Sequence, residues 1–593
     1  MKQLKYFAGI VLIAGFVGCK DDLRDLNTNP EILDVTQPEF LFGSATQNFT
    51  NSARHHLTQR YSGVMTYMQY LVPSAGSGEG TYIAQTDNKG GGPGLDFLWD
   101  DYFTWRGRDL RSVIRLIDNH EFKDKYQGLR AVAQMLEVRQ AWYCMDLYGA
   151  MPYTEGLQAM QGGTYTPKYD FIWEMYKKFD EIVAEQVDIL SQLTASGQTD
   201  FKTYDFFYGK NTDYLDKWAK FGNSLRIQMA LRYEGRDPEF LKTVLASVGK
   251  NAKGVMTSNE DGCWYHHPSD FNNVISDIDA IATTYETTEA FVNTLKGMDD
   301  PRLPIMVRKN YFQAGIEVYD EVKQNAPDSL TNVNPTNERY IGRPANPYAT
   351  SASGRVEYGK RVQSNVQATW KKGETNVTKS VRLISQLQGR YFVKNGGFQA
   401  GVDPLSEWKA NESIKMNTCV LGYADFCFMM AEIAEKNGAS YFGKDAGTWY
   451  MDGIKASIDM YQTMAAEVFV PQADIDESKA RIADFLASNL IAYTGTLQEK
   501  LEKIYTQSWI NNMKHPEEAW ANWKRTGYPK FRNWQPGEGV KIGYLDLLQN
   551  SQKQAVLLIP RREAVPQRDE NYRNWKAAID GQIAKDAAYG VSE

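Results

Sequence analysis

The stretch "VLGYADFCFMMAEIAEK", residues 420–436, decides the fold of this chain. Nearly every position at its centre is apolar, so a helix formed by these residues has no polar face to turn toward water. A helix that is apolar all round is buried among other elements. The stretch therefore predicts a central helix that other helices cover, and with it a mostly α fold.

Helices able to cover this segment are predicted by apolar residues that recur every three or four positions. In residues 213–233, Trp218, Phe221, Leu225 and Met229 fall on one stripe. Similar patterns occupy five other stretches: 40–72, 124–148, 445–468, 476–490 and 495–513. Amphipathic helices in neighbouring pairs favour a helical-repeat scaffold, although the chain shows no clean period of about 34 residues.

The middle of the chain, about residues 250–410, has a different composition. It is rich in Asn, Gly, Pro, Ser and Thr, as in "NAPDSLTNVNPTNERYIGRPANPYATSASG" at 325–354. Such a composition indicates turns and loops. Because long loops on a rigid scaffold commonly carry binding function, this region is predicted to contain long loops and short strands and to bind the ligand.

The chain begins with the features of an exported protein. Lys2 and Lys5 precede a short apolar run at residues 7–17, and small residues follow. This order is typical of a secretory signal peptide, and the run is shorter than the roughly 20 apolar residues that span a bilayer. Gly18 and Cys19 stand where cleavage is expected, and the local sequence resembles a bacterial lipobox. Cys19 is therefore predicted to be the lipidated first residue of the mature chain.

This assignment divides the chain into a lipoprotein signal peptide at 1–18, a lipidated tether at 19–37 and a single α-helical domain at 38–593. Acyl chains on Cys19 would anchor the protein to a membrane, since each buried CH₂ contributes about 0.8 kcal/mol. The residues "KDD" at 20–22 resemble the acidic surface-export signal of Bacteroidetes lipoproteins. The resemblance implies an outer-membrane protein that faces the cell exterior.

Charge and cysteine usage narrow the possible functions. The net charge of -7 over 593 residues is a poor match for phosphate backbones and argues against nucleic-acid binding. Beyond Cys19, the four cysteines Cys144, Cys263, Cys419 and Cys427 have no metal-binding or redox spacing. Three of them, Cys144, Cys419 and Cys427, lie in apolar stretches that are predicted to be helical. We therefore predict free, buried thiols.

No catalytic or cofactor motif is recognisable in the chain. It contains no HExxH metal motif and no GxSxG nucleophile elbow. Its glycine-rich stretches fit neither a Walker A loop nor a dinucleotide fingerprint. With 73 Asp and Glu residues, the sequence leaves open a carboxylate pair of the kind that glycoside hydrolases use. We predict no metal and no cofactor.

Several stretches, in order along the chain, resemble segments of the SusD/RagB-like nutrient-binding lipoproteins of Bacteroidetes. They are "DLNTNPEIL" (25–33), "DLYGAMPYTEG" (146–156), "WAKFGNSLRIQMALRY" (218–233), "GYADFCFMMAEIAEK" (422–436), "GIKASIDMY" (453–461), "IYTQSWINNMKHPEEAWANWKRTGYPKF" (504–531) and "IPRREAVPQRD" (559–569). Their common order and the preceding lipobox make the resemblance specific. Gly222 stands where the family usually has Ala, and the middle region has no long match, which leaves the ligand open.

The resemblance implies tetratricopeptide-like helical pairs with long irregular loops and a few short strands. It implies a surface protein that captures a nutrient, usually an oligosaccharide, and delivers it to a SusC-like TonB-dependent outer-membrane transporter without catalysing a reaction. Three alternatives remain open. The same architecture could bind peptide or glycoprotein fragments, the chain could be a surface α-helical glycoside hydrolase, or it could be a structural or adhesive surface protein.

Aromatic residues in polar loops are the candidate ligand contacts. Sugar rings pack their apolar C–H faces on aromatic side chains, and their hydroxyls bond to a few convergent polar groups. Three groups of residues fit this chemistry: Tyr82, Trp99, Tyr102 and Trp105; Trp264 and Tyr265; and Tyr340, Arg343, Asn346 and Tyr348. The resemblance favours the first and third groups, because the family's site draws on an early loop and on the middle loops.

Overall fold

The fold was examined in a computed structural model of the chain. It describes residues 37–47, 63–73, 97–266, 285–310, 339–358, 365–372, 374–382, 384–392, 417–533, 541–562 and 573–581. The predicted signal peptide, the tether up to residue 36, Cys19 and Tyr82 lie outside the described residues. The lipid on Cys19 and ligand contact by Tyr82 therefore stay predictions.

Helices dominate the described residues, which confirms the predicted mostly α fold. None of the described helices is both long and apolar enough to cross a membrane. The helices are α1 (Pro38–Gln47), α2 (Met65–Tyr67), α3 (Phe97–Asp101), α4 (Gly107–Asp118), α5 (Gln127–Tyr148), α6 (Ile172–Gln192), α7 (Tyr214–Tyr233), α8 (Pro238–Val248), α9 (Glu289–Gly297), α10 (Leu303–Met306), α11 (Ala352–Tyr358), α12 (Tyr423–Asn437), α13 (Ala446–Glu467), α14 (Gln472–Ala487), α15 (Leu497–Asn511) and α16 (Pro516–Thr526).

The strands are short and pair two by two. The pairs are β1–β5, β2–β3, β4–β10, β6–β9, β7–β8 and β11–β12, and all but the parallel β11–β12 are antiparallel. Their bounds are β1 (Leu71–Pro73), β2 (Ala150–Met151), β3 (Asp170–Phe171), β4 (Cys263–His266), β5 (Tyr285–Thr287), β6 (Val307–Arg308), β7 (Asn365–Lys372), β8 (Thr375–Arg382), β9 (Gln386–Leu387), β10 (Asn417–Leu421), β11 (Lys530–Arg532) and β12 (Tyr544–Asp546).

The scaffold consists of helices that pack on their neighbours in sequence. Helices α4 to α8 follow one another in this way, and α12 packs against α13 and α15 and also contacts α7. Every residue of α12 from Tyr423 to Ala434 is buried, as the apolar stretch at 420–436 predicted. The prediction is wrong at one end of that stretch, because Val420 and Leu421 belong to β10 and the helix begins only after Gly422.

Two glycines end helices, as a glycine directly after a helical stretch predicts. Gly149 follows α5 with φ of 84°, and Gly527 follows α16 with φ of 74°. A positive φ is strained for residues with a side chain and is readily adopted by glycine. The amide of Gly149 donates to the Met145 carbonyl oxygen, and that of Gly527 donates to the Trp523 carbonyl oxygen. These glycines turn the chain out of the scaffold.

The cysteine prediction is confirmed in its main point. Cys144, Cys263, Cys419 and Cys427 are buried thiols that form no disulfide. Cys419 was predicted to lie in a helix and instead lies in β10, because the antiparallel pairing with β4 places it opposite Trp264. Such short strands form because they pair with a distant segment of the chain. The local spacing of apolar residues does not reveal that pairing.

Close helix packing at Gly222 leads to a testable expectation. A methyl group on Gly222 of α7 would lie 2.4 Å from Val187 Cγ2 and 2.8 Å from Met135 Sδ. Alanine is favoured over glycine in a helix by about 1 kcal/mol, but overpacking a core costs about 1–3 kcal/mol. We expect Gly222→Ala to lower the free energy of unfolding by about 1 kcal/mol in urea denaturation.

Gly235 offers the control for this substitution, because no atom lies within 4 Å of a methyl group built on it. Gly235→Ala should change the free energy of unfolding by less than about 0.5 kcal/mol, as is usual for surface changes. A Gly222→Ala variant more stable than the parent would show that the helices separate without cost.

Candidate functional site

The described strands hold the ends of the loop-rich region in place. β1 and β5 pair so that Pro73 lies opposite Tyr285. Pro73 is the last described residue before 74–96, and Tyr285 is the first after 267–284. The Gln386 side-chain amide of β9 donates to the Tyr285 carbonyl oxygen at 3.2 Å. The beginning of segment 74–96 and the end of segment 267–284 are therefore attached to the same pair of strands, β1 and β5.

The same place holds both ends of a third segment. The Asn310 amide donates to the Arg339 carbonyl oxygen at 2.8 Å. This hydrogen bond joins the two residues that flank the third segment, 311–338. β6, which precedes Asn310, pairs with β9. We call β1, β5, β6, β9 and residues 339–346 the first loop anchor.

The strand pair β4–β10 forms the second loop anchor. His266 lies opposite Asn417 in this pair, and the His266 Nδ1 and Asn417 Oδ1 atoms are 2.9 Å apart. His266 precedes residues 267–284, and Asn417 follows 393–416. The segment 267–284 thus begins on the second anchor and ends on the first.

The second predicted group lies on this second anchor. Along β4, Trp264 and His266 are half-buried, whereas Cys263 and Tyr265 are buried. The alternation follows from the pleat, which points successive side chains to opposite faces of a strand. The Tyr265 hydroxyl donates to the Gln47 carbonyl oxygen at 2.7 Å. Trp264 is the half-buried aromatic residue of the group, and it packs against the core with part of its surface exposed.

The first predicted group is divided by burial. Trp99 is buried against Tyr148 and Tyr169. Tyr102 is buried, and its hydroxyl donates to Glu137 Oε1 at 2.8 Å. Burial and the Glu137 carboxylate raise the pKa of Tyr102, so its phenol stays protonated. Trp105, in the following turn, is 47% exposed.

The third predicted group belongs to the first loop anchor and is buried. The Arg343 guanidinium bonds to Glu286 Oε2 of β5 at 2.8 Å, and both side chains are at most 4% exposed. The Asn346 side-chain amide donates to Gln549 Oε1 at 3.2 Å, and its carbonyl oxygen accepts from the Tyr348 amide. Arg343 and Asn346 position the chain here.

Tyr340 and Tyr348 complete this group, and both side chains are buried. The Tyr348 hydroxyl donates to Glu357 Oε2 at 3.0 Å, and the Lys553 ammonium lies 4.7 Å from the centre of its ring. Ligand contact by the third group stays a prediction. In the structure, the members of this group hold the first anchor in place through their contacts with neighbouring segments.

Comparison with known proteins identifies the architecture. The sequence profile of a family described as "Starch-binding associating with outer membrane", SusD-like, matches residues 30–346 and 377–541. The chain belongs to the SusD-like family. No curated protein matches the chain in sequence.

Solved structures of SusD-like proteins have the same fold. A chitin-binding protein superposes with a TM-score of 0.63 at 20% identity, over 92% of this chain and 96% of its own. A SusD homologue of Bacteroides fragilis gives 0.62 at 16% identity, over 93% and 97% of the two chains. A chitin-binding SusD homologue of Flavobacterium johnsoniae gives 0.58 at 18% identity, over 92% and 96%. The predicted family and scaffold are confirmed.

The second anchor offers sugar-compatible chemistry in this SusD-like chain. An indole, an imidazole and an amide occur on adjacent strands at Trp264, His266 and Asn417, and all three are half-buried. An aromatic ring can stack on a sugar, and the polar groups can bond to its hydroxyls. The sequence singled out Trp264 but missed Asn417, because only the strand pairing places Asn417 opposite His266 on the same anchor.

One buried group has side chains of the type that bind metals. Among the described residues, Cys419, Asp425 and His515 bring their ligand atoms within 4.8 Å of one another. Burial raises the pKa of Asp425 to about 7. The Asp425 carboxyl already accepts from the Gly422 amide at 3.0 Å and from the Asn511 side chain at 2.5 Å. Because structural zinc sites use about four ligands, this group is assigned as a hydrogen-bonded cap of α12.

Proposed function

We propose that this SusD-like protein captures an oligosaccharide at the cell surface and delivers it to a SusC-like TonB-dependent transporter. The match to the family over both the scaffold and the middle region carries the proposal. The family is described as starch-binding and as associating with the outer membrane. Two of the proteins whose solved structures are similar bind chitin.

The two loop anchors support binding by the loops. They gather segments of the chain that the sequence predicts to be loop-rich, and long loops on rigid scaffolds commonly carry binding function. Trp264 lies two residues before the point where a segment leaves the second anchor, and Trp105 is the exposed aromatic residue among the described members of the first predicted group. The proposed ligand contacts are led by these two indoles.

Location and the absence of catalysis are parts of the same proposal. The lipobox-like sequence at Cys19 and the acidic "KDD" that follows support a lipid-anchored protein on the exterior of the outer membrane. The chain carries no recognised catalytic motif, and we propose that it binds its nutrient without chemical change. The ligand would then be released unmodified and pass to the transporter.

Calorimetry with oligosaccharides tests the ligand class. The mature chain should bind starch-like or chitin-like oligosaccharides, and Trp264→Ala should weaken that binding by about two- to tenfold, since one aromatic pair contributes about 0.5–1.5 kcal/mol beyond its burial. Phe122→Ala is the control, because Phe122 is an exposed aromatic residue remote in sequence from both anchors. Thermal unfolding should show that both variants are folded.

Other outcomes would point to the alternatives. Binding of peptides or glycoprotein fragments in place of all oligosaccharides would overturn the glycan assignment. Release of shortened products from a polysaccharide panel would identify a hydrolase. For the partner, affinity purification of the tagged protein from its own outer membrane should recover a TonB-dependent barrel, and recovery of the protein alone would contradict the proposed assembly.

A further inference from the structure

A cavity lies on the helical scaffold, away in sequence from both loop anchors. It has a volume of about 420 Å³, within the range of about 300–1,000 Å³ that is usual for small-molecule sites. Its walls come from α4, α5, α6 and the connection that follows β2. We call it the scaffold pocket. The charged side chains that line it are Arg111, Arg115, Glu137 and Lys178.

The one carboxylate of the pocket is fully engaged. Glu137 is 1% exposed and pairs with the Arg111 Nε at 2.8 Å. Its oxygens also accept from the hydroxyls of Tyr102 at 2.8 Å and Tyr153 at 2.9 Å. Arg111 donates further to the carbonyl oxygens of Tyr153 and Gly156. This buried network neutralises Glu137 and fixes the base of the pocket.

The other two cations have only neutral partners in the described structure. Arg115 donates to the Leu157 carbonyl oxygen at 3.2 Å and to the Ser112 hydroxyl at 3.0 Å. Lys178 lies 3.4 Å from the Thr154 hydroxyl. Burial and the nearby Arg111 lower the pKa of Arg115, which is the direction expected for a cation that no carboxylate offsets. The pocket therefore carries two more positive than negative charges in a chain whose net charge is -7.

The rest of the lining suits a sugar ring. Gln134, Gln158 and Gln161 supply amides, and Ile114 and Ile182 supply apolar surface. Amides bond to hydroxyls, and guanidinium groups bind carboxylates and sulfates with two parallel hydrogen bonds. A neutral sugar would leave the two surplus positive charges of the pocket without a counter-charge. A sugar with an anionic group would pair with them.

We propose that the scaffold pocket is a second glycan subsite that recognises an acidic sugar, with its anionic group on Arg115 and Lys178. This inference rests on the proposed function and adds the ligand class. An oligosaccharide would then gain affinity when one of its anionic sugar units binds in the scaffold pocket. Uronic acid carboxylates and sulfate esters share the required chemistry.

Calorimetry of the full mature chain can test this subsite. The probes are an oligogalacturonate, a sulfated galactan oligosaccharide and a neutral galactan oligosaccharide of equal length. The acidic probes should bind at least about tenfold more tightly than the neutral one, since charge-assisted hydrogen bonds contribute about 1.5–3 kcal/mol. Their affinity should fall with added salt. The stronger of the two acidic probes identifies carboxylate or sulfate as the preferred group.

Variants locate the binding. Arg115→Gln should remove about tenfold of the acidic-probe affinity, while Arg115→Lys should retain part of it because the charge remains. Arg108→Gln is the control, since Arg108 lies on the same helix, is 53% exposed in its side chain and pairs with Asp109 outside the pocket. Thermal unfolding of each variant separates loss of the site from loss of the fold.

The results distinguish this inference from the proposed function. Equal affinity for acidic and neutral probes, or acidic-probe binding that Arg115→Gln leaves unchanged, would overturn the subsite. Neutral binding that depends on Trp264 would at the same time leave the proposed function standing. Absence of binding to every glycan would overturn both.

Discussion

The Arg302→Met variant should lose about 3–5 kcal/mol of its free energy of unfolding, as is usual when one partner of a buried ion pair is removed. Arg302 and Asp300 are both 0% exposed and approach to 2.6 Å. The Arg302 guanidinium also donates to Ser457 Oγ at 2.9 Å and to Gln507 Oε1 at 2.6 Å. The residue thus joins the start of α10 to α13 and α15, and methionine would leave a buried carboxylate without its cation.

Urea denaturation measures this loss of stability. Two further variants show whether it comes from the buried, unpaired carboxylate. In Asp300→Asn/Arg302→Met no buried charge is left unpaired, so the double variant should be more stable than Arg302→Met alone. Arg130→Met removes an ion pair whose Arg130 and Asp118 side chains are 25% and 46% exposed, and it should cost about 1 kcal/mol or less. Equal losses in Arg302→Met and Arg130→Met would contradict the role assigned to burial.

In cells without the proposed transporter, the Cys19→Ala variant is expected to leave the membrane fraction entirely. The proposed lipid is the attachment, and the described helices include none that could span a bilayer. Two or more acyl chains on one residue give stable anchoring, whereas a chain without them has no comparable hold. Fractionation of cells followed by immunoblotting measures the distribution, and mass spectrometry of the parent should detect acyl chains on Cys19.

Cys144→Ala is the matched control for this experiment, since Cys144 is a buried thiol of the scaffold. That variant should remain with the membrane. A Cys19→Ala protein that sediments with the outer membrane as well as the parent would show that another interaction holds it there.

Helices were predictable from the sequence because their signals are local. The apolar spacing at 124–148 and 213–233 anticipated α5 and α7 within a few residues, and Gly149 stopped α5 as expected. The predicted bounds missed the strand at Leu71 because its partner, Thr287, is distant in the chain. A short strand is stabilised by its pairing, which no window of a few residues contains.

The candidate site was predictable only in part, for a related reason. Composition identifies aromatic residues in polar stretches, but burial decides which rings a ligand can reach. Tyr102 is covered through its bond to Glu137, and Arg343 is held by Glu286 in another segment. Trp264 and Tyr265 are neighbours in sequence with opposite exposure, because a pleated strand separates them. Such outcomes depend on partners that only the folded chain brings together.

The hydrogen bond between Asn310 and Arg339 has a consequence for how such proteins diversify. It fixes both ends of the intervening chain on one rigid base. The entropy cost of closing a chain between two fixed points grows slowly, by about 0.6 kcal/mol for each doubling of its length. Insertions, deletions or whole replacements between these two residues would therefore change a segment proposed to bind the ligand at little cost to the stability of the scaffold. Substrate range can drift while the fold stays the same.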